Sequence, residues 1–329
     1  MNGSTRCRDR LIMVGRLVMI MIITGVLTGC SGLGQRTAAP PDDWRTEQYR
    51  DVTFRVPADW AYAYEPGPDW CGHGLPDDGP GRPYVSLGEP SARLEIACPA
   101  LPDNLITEHV AVLSTSSWPT TPPYDRPDGR TEIGNGFWEA TRTVASVRLR
   151  VISRDATLAQ RIADSAAAAG DTAPCRPDHP VITDHAFRPE PAVKLGTVDR
   201  ITLCQYDLGG AARPGGVRAA GVLAGAAGQK LIKAVGDAPV WDGPRCPADE
   251  DRHWPDLTVV LRVHTDAGLR ELILRQGGCS NGAGPVIGGF DDGRTVRTAT
   301  AETCRAVLVE PLRIDSGSGS VFARCVTRR

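Results

Sequence analysis

The stretch LTVVLRVHTDAGLRELIL, residues 257–274, decides the class of fold. Apolar side chains alternate along its first part and return in its second, at Leu257, Val259, Leu261, Val263, Leu272 and Leu274. A period of two is typical of a strand with one face in a hydrophobic core. TDAG at 265–268 predicts a tight turn, so the sequence predicts an antiparallel hairpin.

The same alternation predicts strands nearer the N-terminus. In YRDVTFRVPADW, residues 49–60, the apolar side chains of Val52, Phe54 and Val56 share a face, and Pro57 ends the strand. We expect the Trp60 ring to fold back over that strand end. Further strands are expected at 84–87, 93–98, 137–143, 146–153, 198–206 and 321–326.

Two helices are expected between these strands. Asp155 is a good N-cap for the first, in which Leu158, Ile162 and Ala166 recur at helical spacing. The second is expected over Ala219–Val235, where apolar residues again follow a helical period. The fold class is therefore α+β, as two small disulfide-stabilised domains, each an antiparallel sheet packed with one or two helices.

The N-terminal residues have the pattern of an export signal. Residues 1–16 carry four arginines and one aspartate, and an uncharged apolar run follows at 17–26. A basic head followed by a short apolar segment is typical of a secretory signal, and the run is too short for the roughly 20 residues that a membrane helix needs. The following Leu27–Cys30, LTGC, resembles the lipobox of bacterial lipoproteins, a family in which the cysteine is lipidated.

That resemblance implies a lipidated protein at the extracytoplasmic face of the cell membrane. Residues 1–29 are then the signal peptide, and Cys30 is the lipidation site and the new N-terminus. Two or more acyl chains hold a protein stably on a bilayer, whereas one gives only reversible binding. Residues 30–43 lack apolar periodicity and are expected to form a flexible tether of roughly 20 Å.

Eight cysteines remain after cleavage, in a compartment where disulfides persist. They are Cys71, Cys98, Cys175, Cys204, Cys246, Cys279, Cys304 and Cys325. We expect neighbours to pair in order, because each such loop is long enough to return to a neighbouring strand. Zinc binding is disfavoured, because no C-x-x-C spacing occurs and the histidines do not lie near paired cysteines.

The length of the chain favours two domains. About 300 residues exceed the size at which one core stops growing. SAAAAGDTAP, residues 165–174, is the best boundary, because a helix gives way there to small residues, Gly and Pro. We therefore expect an N-terminal domain at 44–169 and a cystine-rich C-terminal domain at 174–329.

Each half also resembles lipoprotein domains of actinobacteria. The strand that ends V-P-x-x-W at 56–60 and the helix that ends D-S at 164–165 are similar to short lipoproteins with a PsbP- or Mog1-like fold. In the second half, C-x-Y at 204–206, C-P at 246–247 and the D-x-G turn at 266–268 resemble an uncharacterised lipoprotein domain. The first resemblance implies a binding or assembly module, and neither brings a catalytic motif.

The charge balance argues against a nucleic-acid partner. Removing residues 1–29 takes away four arginines and one aspartate, which leaves 33 Lys and Arg against 38 Asp and Glu, a net charge of about −5. Nucleic-acid binding needs a basic patch that displaces phosphate counterions. No such cluster is evident in the sequence.

Four stretches of the sequence contain candidate catalytic or binding residues. Asp178, His179, Asp184 and His185 lie close in PDHPVITDH, but their spacing fits no established metal site. DSGSGS from Asp315 lacks the context of a serine nucleophile. The glycines of 209–228 lack phosphate-loop spacing, so no cofactor is predicted. Aromatic residues concentrate in the first half, and we expect most of them to pack in the core or anchor loops. A recognition face for sugars or peptides is the alternative. These residues are Trp60, Tyr62, Tyr64, Trp70, Trp118, Tyr124 and Trp138.

The sequence therefore predicts a lipid-anchored extracytoplasmic module of the bacterial cell envelope that binds or assembles with an envelope protein or glycan. Non-enzymatic function is favoured, because no catalytic constellation is visible. The alternative is an envelope hydrolase with its site at the domain boundary, using groups such as Asp178, His179 or Glu190. A cleft that holds a carboxylate–histidine pair would favour that alternative.

Overall fold

The computed structural model describes residues 43–63, 65, 81–88, 106–115, 126–184, 187–191, 196–209, 215–241, 257–275 and 288–312. Residues 41–329 form one compact unit. The signal peptide and most of the tether lie outside the described residues. So do Cys71 and Cys98, the strands expected at 93–98 and 321–326, and Asp315.

The described residues of the N-terminal half form nine strands and one helix. Their bounds are β1 Trp44–Tyr49, β2 Val52–Pro57, β3 Ala61–Tyr62, β4 Tyr84–Leu87, β5 His109–Ser114, β6 Gly129–Gly134, β7 Phe137–Val144, β8 Val147–Ser153, α1 Ala156–Asp164 and β9 Ala167–Ala168. Six strands form a sheet in the order β3-β4-β5-β8-β7-β6, and β1, β2 and β9 form a second, smaller sheet. The larger sheet is mostly antiparallel, but β3, β4 and β5 run parallel.

The alternation that predicted β2 also explains its packing. Val52, Phe54 and Val56 are buried beside Leu149 of β8 and Ile162 of α1. Trp60 is 6% exposed in the same cluster. One face of the larger sheet therefore lies in the hydrophobic core of this half.

Local capping starts α1 where the sequence predicts it. The Asp155 carboxylate accepts hydrogen bonds from Thr157 N at 2.7 Å and Leu158 N at 3.1 Å, which satisfies two of the unpaired amides at the helix start. The helix ends earlier than the expected stripe, at Asp164. Ala166 is buried beyond it.

The C-terminal half is one antiparallel sheet with helices on one face. Its elements are β10 Val198–Asp207, β11 Gly216–Ala224, α2 Gly225–Asp237, β12 Leu257–Thr265, β13 Gly268–Arg275, β14 Gly289–Asp291, β15 Val296–Thr298 and α3 Ala301–Val307, after a short 3₁₀ helix at Pro180–Ile182. The strand order is β11-β10-β12-β13-β14-β15. α2 and α3 cover one apolar face, and residues of the segment 175–187 cover part of the other.

The predicted hairpin is confirmed and the predicted second helix is partly wrong. Thr265 pairs with Gly268 across the turn between β12 and β13. The first residues of the segment expected to be helical form β11 instead, and α2 begins only at Gly225. β11 pairs with β10 along its length, and such pairing overrides the helical preference of alanine. Gly221 further weakens a helix there, because glycine is a poor helix former.

Side-chain and backbone contacts join the two halves. The Gln48 side chain of β1 forms two hydrogen bonds with the backbone of Cys175, from Cys175 N to Oε1 at 2.9 Å and from Nε2 to Cys175 O at 2.8 Å. Arg50 N donates to Val217 O of β11 at 2.5 Å. Each half has its own apolar cluster, and the division into two domains stays a prediction.

Candidate functional site

The residues singled out for metal binding or hydrolysis do not come together in the described part of the chain. His179 is 1% exposed, whereas Asp178, Asp184 and Glu190 are exposed. Asp178 instead pairs with Arg176, at 3.3 Å between Nε and Oδ1. Among the described residues no group of three His, Cys, Asp or Glu side chains could hold a metal ion. His185 lies outside the described residues.

His179 does pair with a carboxylate, but it acts as a helix cap. Its Nδ1 accepts a hydrogen bond from Val181 N at 3.1 Å, at the start of the 3₁₀ helix. Its Nε2 lies 3.2 Å from Oε2 of Glu271 on β13. A neutral ring protonated at Nε2 satisfies both contacts. The rings of Phe187 and Tyr206 lie against the imidazole, with centroids 5.4 and 5.3 Å away.

Glu271 connects this pair to the positive charges nearby. Burial would raise its pKa, but the hydrogen bond from His179 and the charges of Arg262 and Arg176 hold the pKa below the ordinary value of a glutamate. Arg262 also donates to Pro174 O at 2.8 Å. The carboxylate therefore helps to fasten the segment 174–182 to the sheet.

A second carboxylate–histidine pair, which the sequence did not reveal, lies on the polar face of the larger N-terminal sheet. His109 Nε2 is 3.3 Å from Oε1 of Glu65, and His109 Nδ1 is 2.7 Å from Thr107 O. Arg150 donates to Glu65 and, at 2.8 Å, to Oε2 of Glu139. Because both ring nitrogens of His109 face acceptors, only a ring protonated at both can donate to both.

The positive charges around Glu65 offset the effect of burial on its pKa. Desolvation would raise its pKa, but the positive charges of Arg150 and His109 and their hydrogen bonds hold the pKa below the ordinary value. Tyr84 stacks on His109 with ring centroids 5.0 Å apart. Buried pairs with such partners are commonly structural.

One small pocket lies where β1 meets β11. It is lined by Tyr49, Arg50, Gly88, Asp207, Gly216, Val217 and Arg218. The lining comes from the β1–β2 turn, from the end of β4 and from β10 and β11, so both halves contribute. None of its residues was predicted, because the turn and the strands that bring them together are distant in sequence.

The aromatic residues expected to pack are partly accounted for. Trp60 lies in the core, and Tyr62 donates a hydrogen bond to Oε1 of Glu47 at 2.6 Å. The Arg130 guanidinium lies 5.4 Å from the ring centre of Trp138. Tyr64, Trp70, Trp118 and Tyr124 lie outside the described residues, so a recognition face that includes them stays a prediction.

The described cysteines are buried and disulfide-bonded. Cys175 and Cys204 form the bond expected from their order in the chain, and both are fully buried. Cys304 is also disulfide-bonded. Its expected partner Cys325 lies outside the described residues, as do Cys246 and Cys279.

Comparison with protein-family models, curated proteins and solved structures finds no match to this chain. In the described part of the chain, no helix is both long and apolar enough to cross a membrane. The function therefore has to be inferred from the side chains. Of the sites described above, the pocket between β1 and β11 is the one that offers space to a ligand.

Proposed function

We propose that the chain is a lipid-anchored binding or assembly module on the extracytoplasmic face of a bacterial cell membrane. Its ligand, an envelope protein or glycan, binds at the pocket between β1 and β11. The observation that carries this proposal is the convergence of Arg50 and Arg218, from opposite halves of the compact unit, on one open pocket.

The anchor is supported by the order of features at the N-terminus. A basic head, an apolar run and Leu27–Cys30 follow one another directly. Lipidation at Cys30 would leave 13 residues, 31–43, before β1 as a tether. A tether of this length allows the folded part to reach a partner while it stays near the bilayer.

Binding is favoured over hydrolysis by the use of the histidines. A general base needs a ring nitrogen within reach of a substrate proton. Both ring nitrogens of His179 already have partners, and so do both ring nitrogens of His109. The described pocket contains neither ring.

Site-specific photo-crosslinking in intact cells tests the binding function. A photoreactive amino acid replaces Val222, which is 62% exposed and lies four residues beyond Arg218 on β11. The matched control is Leu269, which is 41% exposed on β13, three strands away in the sheet. We expect a discrete adduct from position 222 and none of that mass from 269.

The same cells test the anchor. Cys30→Ser should abolish lipidation, and we expect the position-222 adduct to weaken because the unprocessed chain lacks the acyl chains that would present it at the membrane surface. Identical adducts from 222 and 269 would indicate random collision. That result, or no adduct from 222 in envelopes that contain the lipidated chain, would refute a partner along β11.

A further inference from the structure

The pocket between β1 and β11 has a positive lining. Arg50 and Arg218 supply two cationic side chains and Asp207 one acidic side chain, a net charge of +1. Oδ1 of Asp207 accepts a hydrogen bond from Gly209 N at 2.9 Å, which holds that carboxylate toward its own loop. The charge of the lining therefore favours an anionic ligand.

Arg50 is held in the pocket wall by its backbone. Tyr49 pairs with Val52, so Arg50 and Asp51 form a two-residue hairpin turn, and Arg50 has a φ of 51°. Asn, Asp and Gly are the usual residues where such turns need a positive φ. Asn135 and Ala145 begin two similar turns, but only Arg50 among the three lines the described pocket.

Contacts with β11 fix the position of this arginine. Its backbone N–H donates to Val217 O, and its side chain is largely buried and packs beside Gly216. Arg50, Asp207 and Arg218 also interact with other residues of the chain. A guanidinium has five N–H donors, so one arginine can serve several acceptors at once.

The size of the pocket limits the part of a ligand that enters it. Its volume is about 30 Å³, which is room for about two water molecules. Two oxygens of an oxyanion would take the places of those waters. Paired guanidinium donors match carboxylate and phosphate oxygens in spacing and charge.

We propose that Arg50 and Arg218 bind a single carboxylate or phosphate group of the ligand, whose remaining part stays outside the pocket. This inference rests on the proposed binding function and names the chemistry of its site. Gly88 lies on the pocket rim with a φ of 75°, and an added Cβ there would lie 3.1 Å from the Tyr49 ring, which would have to shift.

Isothermal titration of the full chain in detergent tests the proposal. Inorganic phosphate and acetate are the two probes, at constant ionic strength. We expect saturable binding of at least one probe, and the tighter one identifies the class of anion. Arg218→Gln should weaken that binding at least about tenfold, because a charge-assisted pair is lost.

Two further variants make the test specific. Arg218→Lys keeps the charge but loses the fork of donors, so we expect an intermediate affinity. Arg200→Gln is the matched control, because Arg200 is exposed on β10, pairs with Asp199 and lies outside the pocket lining. Its affinity should equal that of the wild type. If Arg218→Gln does not fold by circular dichroism, Arg218→Lys decides alone.

The result separates this inference from the proposed function. Absence of saturable binding of both probes would overturn the anion site. Wild-type affinity of the Arg218→Gln variant would overturn it as well. If that variant does not fold, wild-type affinity of Arg218→Lys has the same meaning. If the anion site is overturned in this way and position 222 still gives an adduct, the proposed binding function is supported but its ligand has a different chemistry. Anion binding without any adduct would support the pocket and refute the macromolecular partner.

Discussion

The side-chain amide of Gln48 forms two hydrogen bonds with the backbone of Cys175. The pattern is the one in which the backbones of two residues on neighbouring antiparallel strands pair, but here a side chain takes the place of one backbone. Oε1 accepts from Cys175 N and Nε2 donates to Cys175 O. Gln48 and Cys175 are fully buried, and Cys175 is disulfide-bonded to Cys204 of β10. One amide therefore connects β1 through a cystine to the sheet of the other half.

Removing this amide should destabilise the compact unit. Gln48→Ala leaves the buried N–H and C=O of Cys175 without these bonds, and we expect a loss of about 2–4 kcal/mol in the free energy of unfolding. Urea unfolding of the full chain measures it. Gln160→Ala is the control, because Gln160 bonds only to an exposed neighbour, Asp164, and its loss should stay within about 0.5 kcal/mol. Equal losses would contradict the connecting role.

The Cys175–Cys204 disulfide should resist reduction in the folded protein. Both cysteines are fully buried, so a thiolate reductant cannot reach either sulfur without local opening. We expect thiol labelling after reductant treatment to miss both positions until denaturant is added. The Cys175→Ala, Cys204→Ala double variant should be less stable by about 3 kcal/mol. Rapid labelling without denaturant would show that this region opens readily.

Acid should weaken the protein through Glu271. Its pKa in the folded state is lowered, so its contribution to stability is full above the ordinary glutamate pKa of about 4.3 and is lost as the pH falls through the folded value. Glu271→Gln should therefore reduce the dependence of unfolding free energy on pH below about 4.5. Glu302→Gln is the matched control, because the Glu302 side chain of α3 is exposed and pairs only weakly with Lys230, at 3.8 Å. A wild-type slope in Glu271→Gln would refute the interpretation.

The hydrogen bonds of His179 fix the tautomer of its ring. Val181 N donates to Nδ1, so Nδ1 carries no proton, and Nε2 faces Oε2 of Glu271. We expect ¹⁵N spectra of the ring to place the proton on Nε2. His179→Gln assigns the signals. A proton on Nδ1 would contradict this hydrogen-bond assignment.

Lipidation should depend on one cysteine at the N-terminus. Cys30→Ser removes the thiol that would carry the lipid, so we expect an unprocessed chain that lacks the added mass. Cys7→Ser is the matched control, because Cys7 lies in the segment expected to be removed. Mass spectrometry and membrane fractionation read out both variants. A membrane-bound mature Cys30→Ser protein would exclude the lipoprotein assignment.

Local sequence patterns were sufficient to predict those elements in which the buried positions recur at a regular spacing. The alternation of Val52, Phe54 and Val56 predicted β2, and Asp155 predicted the start of α1. The strand β11 was missed because AAGVLA has no alternation of polarity, and its partner β10 decides its conformation. Val222 stays exposed in that strand, so no burial pattern was available to detect it.

The pocket was beyond sequence reasoning for a different reason. Arg50 and Arg218 are 168 positions apart, and neither lies in a motif. The same holds for Glu65 and Arg150, whose pairing depends on the order of strands in the sheet. His179 was singled out as a candidate for metal binding or hydrolysis, but its partner Glu271 is on a strand that the sequence marks only for its apolar residues.

The Gln48–Cys175 contact also bears on the order of folding. Its two residues are 127 positions apart, so the β1–β2 hairpin can dock on Cys175 only after more than half of the chain has been made. Contacts of such separation slow folding, whereas the β12–β13 hairpin closes within a few residues. We therefore expect the β1–β2 hairpin to be among the last elements to dock, and amide exchange after dilution from denaturant to protect the N–H of Cys175 later than the amides of β12.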